Sequence, residues 1–465
     1  MNGRTFLFFA LIGAASYRVQ AQTVYAQDRV YAANQISNTV SVIDPATQKL
    51  LGEIPLGKPQ PDILSALYKG QALVHGLGYS PRRKMLTVVS IGSNSVTLIS
   101  TQDNRILKTI YVGRAPHEAT FTPDGNQIWV SVRGEAYLSV IDATQLKEIG
   151  RIAVSDGPGM VAFSPDGKTA YVCSSFTPQL DIIDRSTQKR IKSLPVVSPF
   201  SPNIFASPDG NWVAFTHKDV GKTTVLNART RQIEKVLPSG PISNHVTFTV
   251  LNNEPLMLVT VGGENKLKVY RINQGFALTD SVSTGSLPHG VWPTGDGRQV
   301  YVGLENDDAV QAIDLQTMAV LKTIPIGQCP QALLYATKAT TLASPSVTGL
   351  VPLGDKSHSQ VIAMTPVAGG LAKGSVVVRS IGLTDLALQT FTHLLPNTTY
   401  TLALTRSAQA PYRSDTPINE FKTDEKGMFT GQSTGSIKTM VRPEKPADYR
   451  YVVLFSGGQA VLIGR

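Results

Sequence analysis

His75 has equivalents at His117, Gly159, Asn203, His245, His289 and Gln331, each 42–44 residues from the last. This regularity limits the possible folds more than composition does. A unit of that length cannot bury an apolar face alone, so successive units must stack on one another. Each unit repeats the same order of segments. A short apolar run follows the register position, as at 119–121 and 161–163. A turn comes next: Pro123-Asp124-Gly125, Pro165-Asp166-Gly167, Pro208-Asp209-Gly210 or the looser Gly295-Asp296-Gly297. Proline presets φ and glycine takes a positive φ without strain, so these are hairpin turns. A second apolar run (IWVSV, AYVCS, WVAFT, QVYVGL) precedes an alternating one (TVSVID, YLSVID, QLDIID, AVQAID), and a fourth ends near Pro-x-Gly (EIPLG, TIPIG). Period-two alternation between short turns denotes antiparallel strands.

Four strands in 42–44 residues is the length of one propeller blade. The third-and-fourth-strand hairpin occurs seven times, whereas the last first-strand segment, at 331–335, stands alone at the far end. The chain's first strand, at 29–33, lacks an inner neighbour of its own. The pattern therefore predicts an all-β, seven-bladed propeller over about 24–338, with the N- and C-terminal strands closing one blade. Closure removes exposed strand edges. The segments "QISNTVSVIDPATQKLLGEIPLG" (35–57) and "MVAFSPDGKTAYVCSSF" (160–176) resemble the YVTN-type propeller repeats of bacterial exported proteins, including the YncE-like family. That resemblance covers nearly the whole propeller and specifies fold better than function. It implies a scaffold whose members include DNA-binding, surface-layer and enzyme-associated proteins. Blades two and six depart from the turn pattern at Ser80-Pro81-Arg82-Arg83 and at Leu251-Asn252-Asn253-Glu254-Pro255.

In a propeller the loop entering each first strand opens beside the central channel. His75, His117, His245 and His289 are thus placed on one rim, in blades two, three, six and seven, with Asn203 and Gln331 at equivalent positions. Arg114 and Glu118 flank His117. The loops joining second to third strands open on the same face and bring Arg133, His217, Lys218, Glu264, Asn265, Glu305 and Asp308. Polar groups converging on a concave mouth define the expected ligand site. Most of these loop groups, however, read as ordinary solvated residues. An imidazole there can orient an anionic or carbonyl ligand, or it can simply tie neighbouring strands together. An insertion at 58–74 breaks the period and is expected to cap the mouth, with Tyr68 or Lys69 near the ligand. The ligand-binding set is therefore His75, His117, His245, His289, Arg114, Glu118, Arg133, Asn203, Gln331 and Tyr68. No metal site and no cofactor are assigned, since phosphate-loop, zinc-helix and nucleophile-elbow motifs are absent.

Residues 1–21 read as a signal peptide, with Arg4 before an apolar run too short to span a bilayer. A periplasmic or secreted product is expected. The formal charge of +10 is spread along the chain rather than concentrated, which argues against a nucleic-acid surface. Cys173 and Cys329 occupy unlike positions, one in a strand and one in a loop, and are expected as free thiols. After a small polar linker (339–349), eight alternating runs over 350–465 predict a β-sandwich. There "LLPNTTYTLAL" (394–404) resembles the tyrosine corner of immunoglobulin- and fibronectin-like domains, which implies that Tyr400 bonds back to the backbone. The whole reads as a binding module for a small ligand or an extracytoplasmic protein, expected as a monomer without a transmembrane segment after signal cleavage. A lactonase-like or metal-assisted enzyme at the same rim is the alternative, so whether a reaction occurs stays open. DNA binding is a second, less favoured, alternative.

Overall fold

The computed structural model describes residues 25–56, 72–341, 346–354, 359–381, 384–434 and 451–464. Residues 1–21, expected to be a signal peptide, Tyr68, Lys69 and most of the insertion lie outside the described residues. The chain divides into two compact units, with the boundary at Leu353 and Gly354.

The first unit is a seven-bladed propeller of four-stranded antiparallel sheets. Blade two runs from Val74–Ser80 to Ile106–Tyr111, and blade three from Pro116–Phe121 to Lys147–Ala153. Blade four spans Pro158–Phe163 to Lys189–Pro195, and blade five Ile204–Ala206 to Gln232–Leu237. Blade six spans Ser243–Leu251 to Ala277–Ser283, and blade seven Pro288–Pro293 to Ala319–Pro325. Blade one consists of Arg29–Asn34, Thr39–Asp44 and Lys49–Pro55, completed by Pro330–Ala336 as its inner strand. The closing register pairs Val30 with Tyr335 and Ala32 with Leu333. Each inner strand contacts the next, and Pro330–Ala336 touches both Pro288–Pro293 and Val74–Ser80, so the ring is complete.

Burial follows position in the blade. Arg29–Asn34 and Thr39–Asp44 are buried at every residue, because blades pack against both faces of the sheet. Outer strands such as Lys189–Pro195 are mostly exposed. Apolar side chains fill the wedges between blades. One such cluster joins Tyr31 and Val42 of blade one, Leu86 and Ile99 of blade two, and Leu334 of the closing strand. Asp28 secures the closure: Tyr335 Oη donates to its carboxylate at 2.5 Å and the Lys338 amide at 2.6 Å.

The hairpin turns show why their residues recur. In blade three Thr122 Oγ1 and the Asn126 amide both donate to Asp124 Oδ1, while Gly125 takes φ +69°. Blades four, five and seven repeat this with Ser164/Asp166, Ser207/Asp209 and Thr294/Asp296. Blade six replaces it with Asn252 and Asn253, both at positive φ, as a two-residue hairpin loop requires. The segment after the closing strand is held to the propeller: Asn104 Nδ2 donates to the carbonyls of Ser346 and Thr348, and Val351 bridges to Glu53.

The second unit contains the eight expected strands, arranged as one eight-stranded sheet rather than two separate ones. The sheet is rolled until it nearly closes. Its edge strands, Thr416–Lys422 and Phe429–Thr434, come into contact, and residues from all round it share one core, among them Ile362, Val378, Phe391, Leu402 and Leu454. Tyr400 is buried, and its hydroxyl accepts the Leu395 amide at 3.0 Å. Both cysteines are buried and neither is in a disulfide. Among the described residues no helix is long and apolar enough to cross a membrane.

Candidate functional site

Three local devices aim the register residues at the channel. First, the residue two positions earlier is left-handed in five blades: Leu73 (φ +51°), Ala115 (+49°), Gly157 (+73°), Leu287 (+55°) and Cys329 (+61°). Four of these are not glycine, so something must hold a conformation that L-residues disfavour. The holder is a side chain from the preceding blade. Asn38 Oδ1 accepts the Leu73 amide at 2.8 Å, and Asn94 accepts that of Ala115 at 2.9 Å. Asn265 accepts the Leu287 amide at 3.0 Å, and Asp308 that of Cys329 at 2.8 Å. Second, the inner strands bulge at the register position, with slips between Val74 and Leu77, Pro116 and Ala119, Ser243 and Val246, and Pro288 and Val291. A bulge re-aims side chains and suspends strand alternation. His117 and Glu118, which alternation would send to opposite faces, are thereby freed to approach the same partner, His75. Third, blades two and three approach closely. A Cβ on Gly76 would lie 2.3 Å from His117 O, and one on Gly78 2.0 Å from Ala119 O.

The four histidines are buried and form two ring pairs. His75 and His117 have centroids 4.3 Å apart, and His245 and His289 4.7 Å apart. One member of each pair also ties blades together. His117 Nδ1 lies 2.8 Å from Gly159 O, and His289 Nδ1 2.7 Å from Gln331 O. A carbonyl only accepts, so both rings carry the proton on Nδ1 and keep Nε2 as a lone pair. One imidazole can therefore tie two strands through Nδ1 and still offer Nε2 to a ligand. His75 Nδ1, by contrast, is buried without a hydrogen-bond partner.

Burial holds all four imidazoles neutral. His75, His117 and His245 lie well below the ordinary histidine value and His289 falls to about 3. After burial, His117 and Arg133 act on His75, Arg133 acts on His117, and Lys218 acts on both His245 and His289. Both histidine pairs and the two cations therefore share one electrostatic environment. Arg133 and Lys218 are half-buried, and burial lowers both. Glu118 is pushed up to about 8, chiefly by burial, although its Oε2 accepts the Leu77 amide at 3.1 Å. It is mainly protonated at neutral pH, leaving Arg133 beside a largely uncharged carboxyl. Glu305 and Cys329 lie near Lys218, and Cys329 Sγ is 3.3 Å from Gln331 Nε2.

The remaining residues singled out from sequence are placed as follows. Arg114 is exposed and its guanidinium donates to the Gly134 carbonyl, next to Arg133. Asn203 is buried and accepts the Val246 amide at 2.9 Å, which ties blade five to blade six. Gln331 supplies its carbonyl to His289 and its amide to Cys329. His217 is enclosed within blade five between Ser201 Oγ (2.8 Å) and Thr224 Oγ1 (2.7 Å). Glu264 pairs with Lys268.

The fold is thus a seven-bladed propeller carrying a cluster of imidazoles and cations at one end of its channel. The family model described as lactonase, 7-bladed beta-propeller, matches residues 108–324. No curated protein matches the chain. Among solved structures it is similar to Kuenenia stuttgartiensis hydrazine synthase, at 19% identity and a TM-score of 0.53, over 61% of this chain and 91% of that one. It is also similar to a functionally unknown protein from Desulfotomaculum acetoxidans DSM 771, at 12% identity and a TM-score of 0.55, over 66% of this chain and 98% of that one. At these identities the likeness is one of fold.

Proposed function

We propose that the chain is an exported binding module of the YVTN type whose channel mouth takes a small anion, such as a carboxylate or the ring-opened form of a lactone. The observation that carries this reading is Arg133. Its guanidinium is half-buried, makes no ion pair among the described residues, and stands beside a largely protonated Glu118 and the neutral imidazoles of His75 and His117. A desolvated cation without a fixed counter-charge favours an anion, and neutral imidazoles add donors or acceptors that set its orientation. Calorimetric titration of the chelator-treated chain with small carboxylates, phosphates and lactones tests this. Binding that is lost in Arg133→Gln is expected. Binding that survives the substitution, or none to any of the three classes, refutes the reading.

The family match over 108–324 supports a second reading, lactone hydrolysis. A carboxyl near pH 8 is suited to exchange a proton at neutral pH, and Arg133 would polarise the lactone carbonyl. Acid release from lactones that stops in Glu118→Gln supports this second reading. Binding without acid release restricts the site to recognition.

A further inference from the structure

We propose that His75, His117 and Glu118 form a site for one first-row divalent cation, with Zn2+ and Co2+ as its probes. The proposal goes beyond anion binding, because it uses different atoms of the same channel. One donor atom from each of the three residues lies within 4.8 Å of the others, and all three residues are at least nine-tenths buried. His75 Nδ1 has no hydrogen-bond partner and sits 4.0 Å from Glu118 Oε1. That separation is too long for a hydrogen bond. A cation bonded at about 2.0–2.2 Å to both atoms would draw them slightly together. His117 is already oriented as a ligand: its Nδ1–H is fixed on the Gly159 carbonyl, which presents Nε2, and metal-binding histidines are typically held by such a backbone acceptor. The Leu77 amide holds Glu118 Oε2 and leaves Oε1 facing His75.

Two imidazoles and Glu118, whose carboxyl releases its proton to solvent as the cation binds, suit a cation of borderline softness and leave coordination positions open to ligand or water. The ligands come together through the bulge in blade three and the close approach at Gly76. The charge beside the site opposes a cation: Arg133, which follows the second strand of blade three, acts on both His75 and His117, while His245 and His289 are neutral. This gives the two readings opposite dependence on a single residue.

The test uses the full chain, freed of metal by a chelator and titrated with Co2+ followed by visible absorption, then with Zn2+ in competition. One equivalent of Co2+ should bind with visible bands and be displaced by Zn2+. His75→Phe keeps an aromatic ring and loses no hydrogen bond at Nδ1, so it should fold while weakening uptake by at least about tenfold. Glu118→Gln should do likewise, and Arg133→Gln should tighten metal binding while abolishing anion binding. The proposal is overturned if the wild-type chain takes up well under one equivalent, if uptake is unchanged in His75→Phe, or if it disappears in His289→Asn instead. Anion binding measured on the metal-free chain is a separate readout, so either reading can fail without the other.

Discussion

His289 offers the sharpest separation of a strand tie from a channel group. Its Nδ1 donates to Gln331 O at 2.7 Å across the seam between blade seven and the closing strand of blade one, with both residues buried. In His289→Ala the Gln331 carbonyl loses its donor, which costs about 1–3 kcal/mol. Losing the ring beside His245 adds about 1 kcal/mol of packing. The expected loss is about 3 kcal/mol. His289→Asn places an amide nitrogen near the Nδ1 position and should keep the seam bond, losing only about 1 kcal/mol, yet it presents no Nε2 to the channel. Both variants should therefore lose ligand response, while only alanine loses most of the stability. Urea unfolding followed by tryptophan fluorescence measures this cleanly, since Trp129, Trp212 and Trp292 all lie in the propeller and the second unit has none. Equal midpoints for the alanine and asparagine variants would refute the tie.

Two further outcomes follow from other parts of the molecule. His217 is fully buried and held at about 4, chiefly by burial, against an unfolded value near 6.5. Its contribution is complete above pH 6.5 and is lost as pH falls towards 4, amounting to about 3 kcal/mol over that window. The fall in stability between pH 6.5 and 4.5 should be shallower in His217→Gln by nearly one proton, and parallel pH profiles would contradict the assignment. Tyr400→Phe should destabilise the rolled sheet by about 1–2 kcal/mol through the stranded Leu395 amide, with tyrosine-edge near-UV circular dichroism as the readout. An unchanged transition would mean that the corner bond is dispensable.

The ring was legible because its period is long and its turns are chemically explicit. Ser/Thr-x-Asp-Gly encodes one geometry, and the unmatched strand at 29–33 pointed to its partner at the other end. The rim histidines were legible for the same reason, as occupants of one register position. Glu118 was visible only as a neighbour of His117, because two adjacent strand residues normally face opposite ways and a bulge leaves no residue signature of its own. Asn265 read as one of the polar loop residues, and Asn38 and Asn94 drew no reading from the sequence. They serve as holders for Leu73, Ala115 and Leu287, an interaction between units that no single unit spells out. Arg114 was picked out by its proximity to His117 in sequence, and its bond to the Gly134 carbonyl carries no residue signature. In the second unit each strand was legible, yet alternation alone does not distinguish two stacked sheets from one rolled sheet. Pairing across the join between Thr399–Thr405 and Tyr451–Ser456 decides it.

The closing of blade one also sets a timetable for biosynthesis. Arg29–Asn34 is made first among the described strands, but its inner neighbour Pro330–Ala336 comes about 300 residues later. At about 5–20 residues per second a ribosome needs roughly 15–60 s to supply it. For that interval a fully apolar-packed edge has no mate, so a nascent chain of this design must either be shielded or be kept unfolded until its end emerges. A chain stopped short of residue 330 would retain that open edge permanently and should form aggregates rather than a ring with a three-stranded first blade.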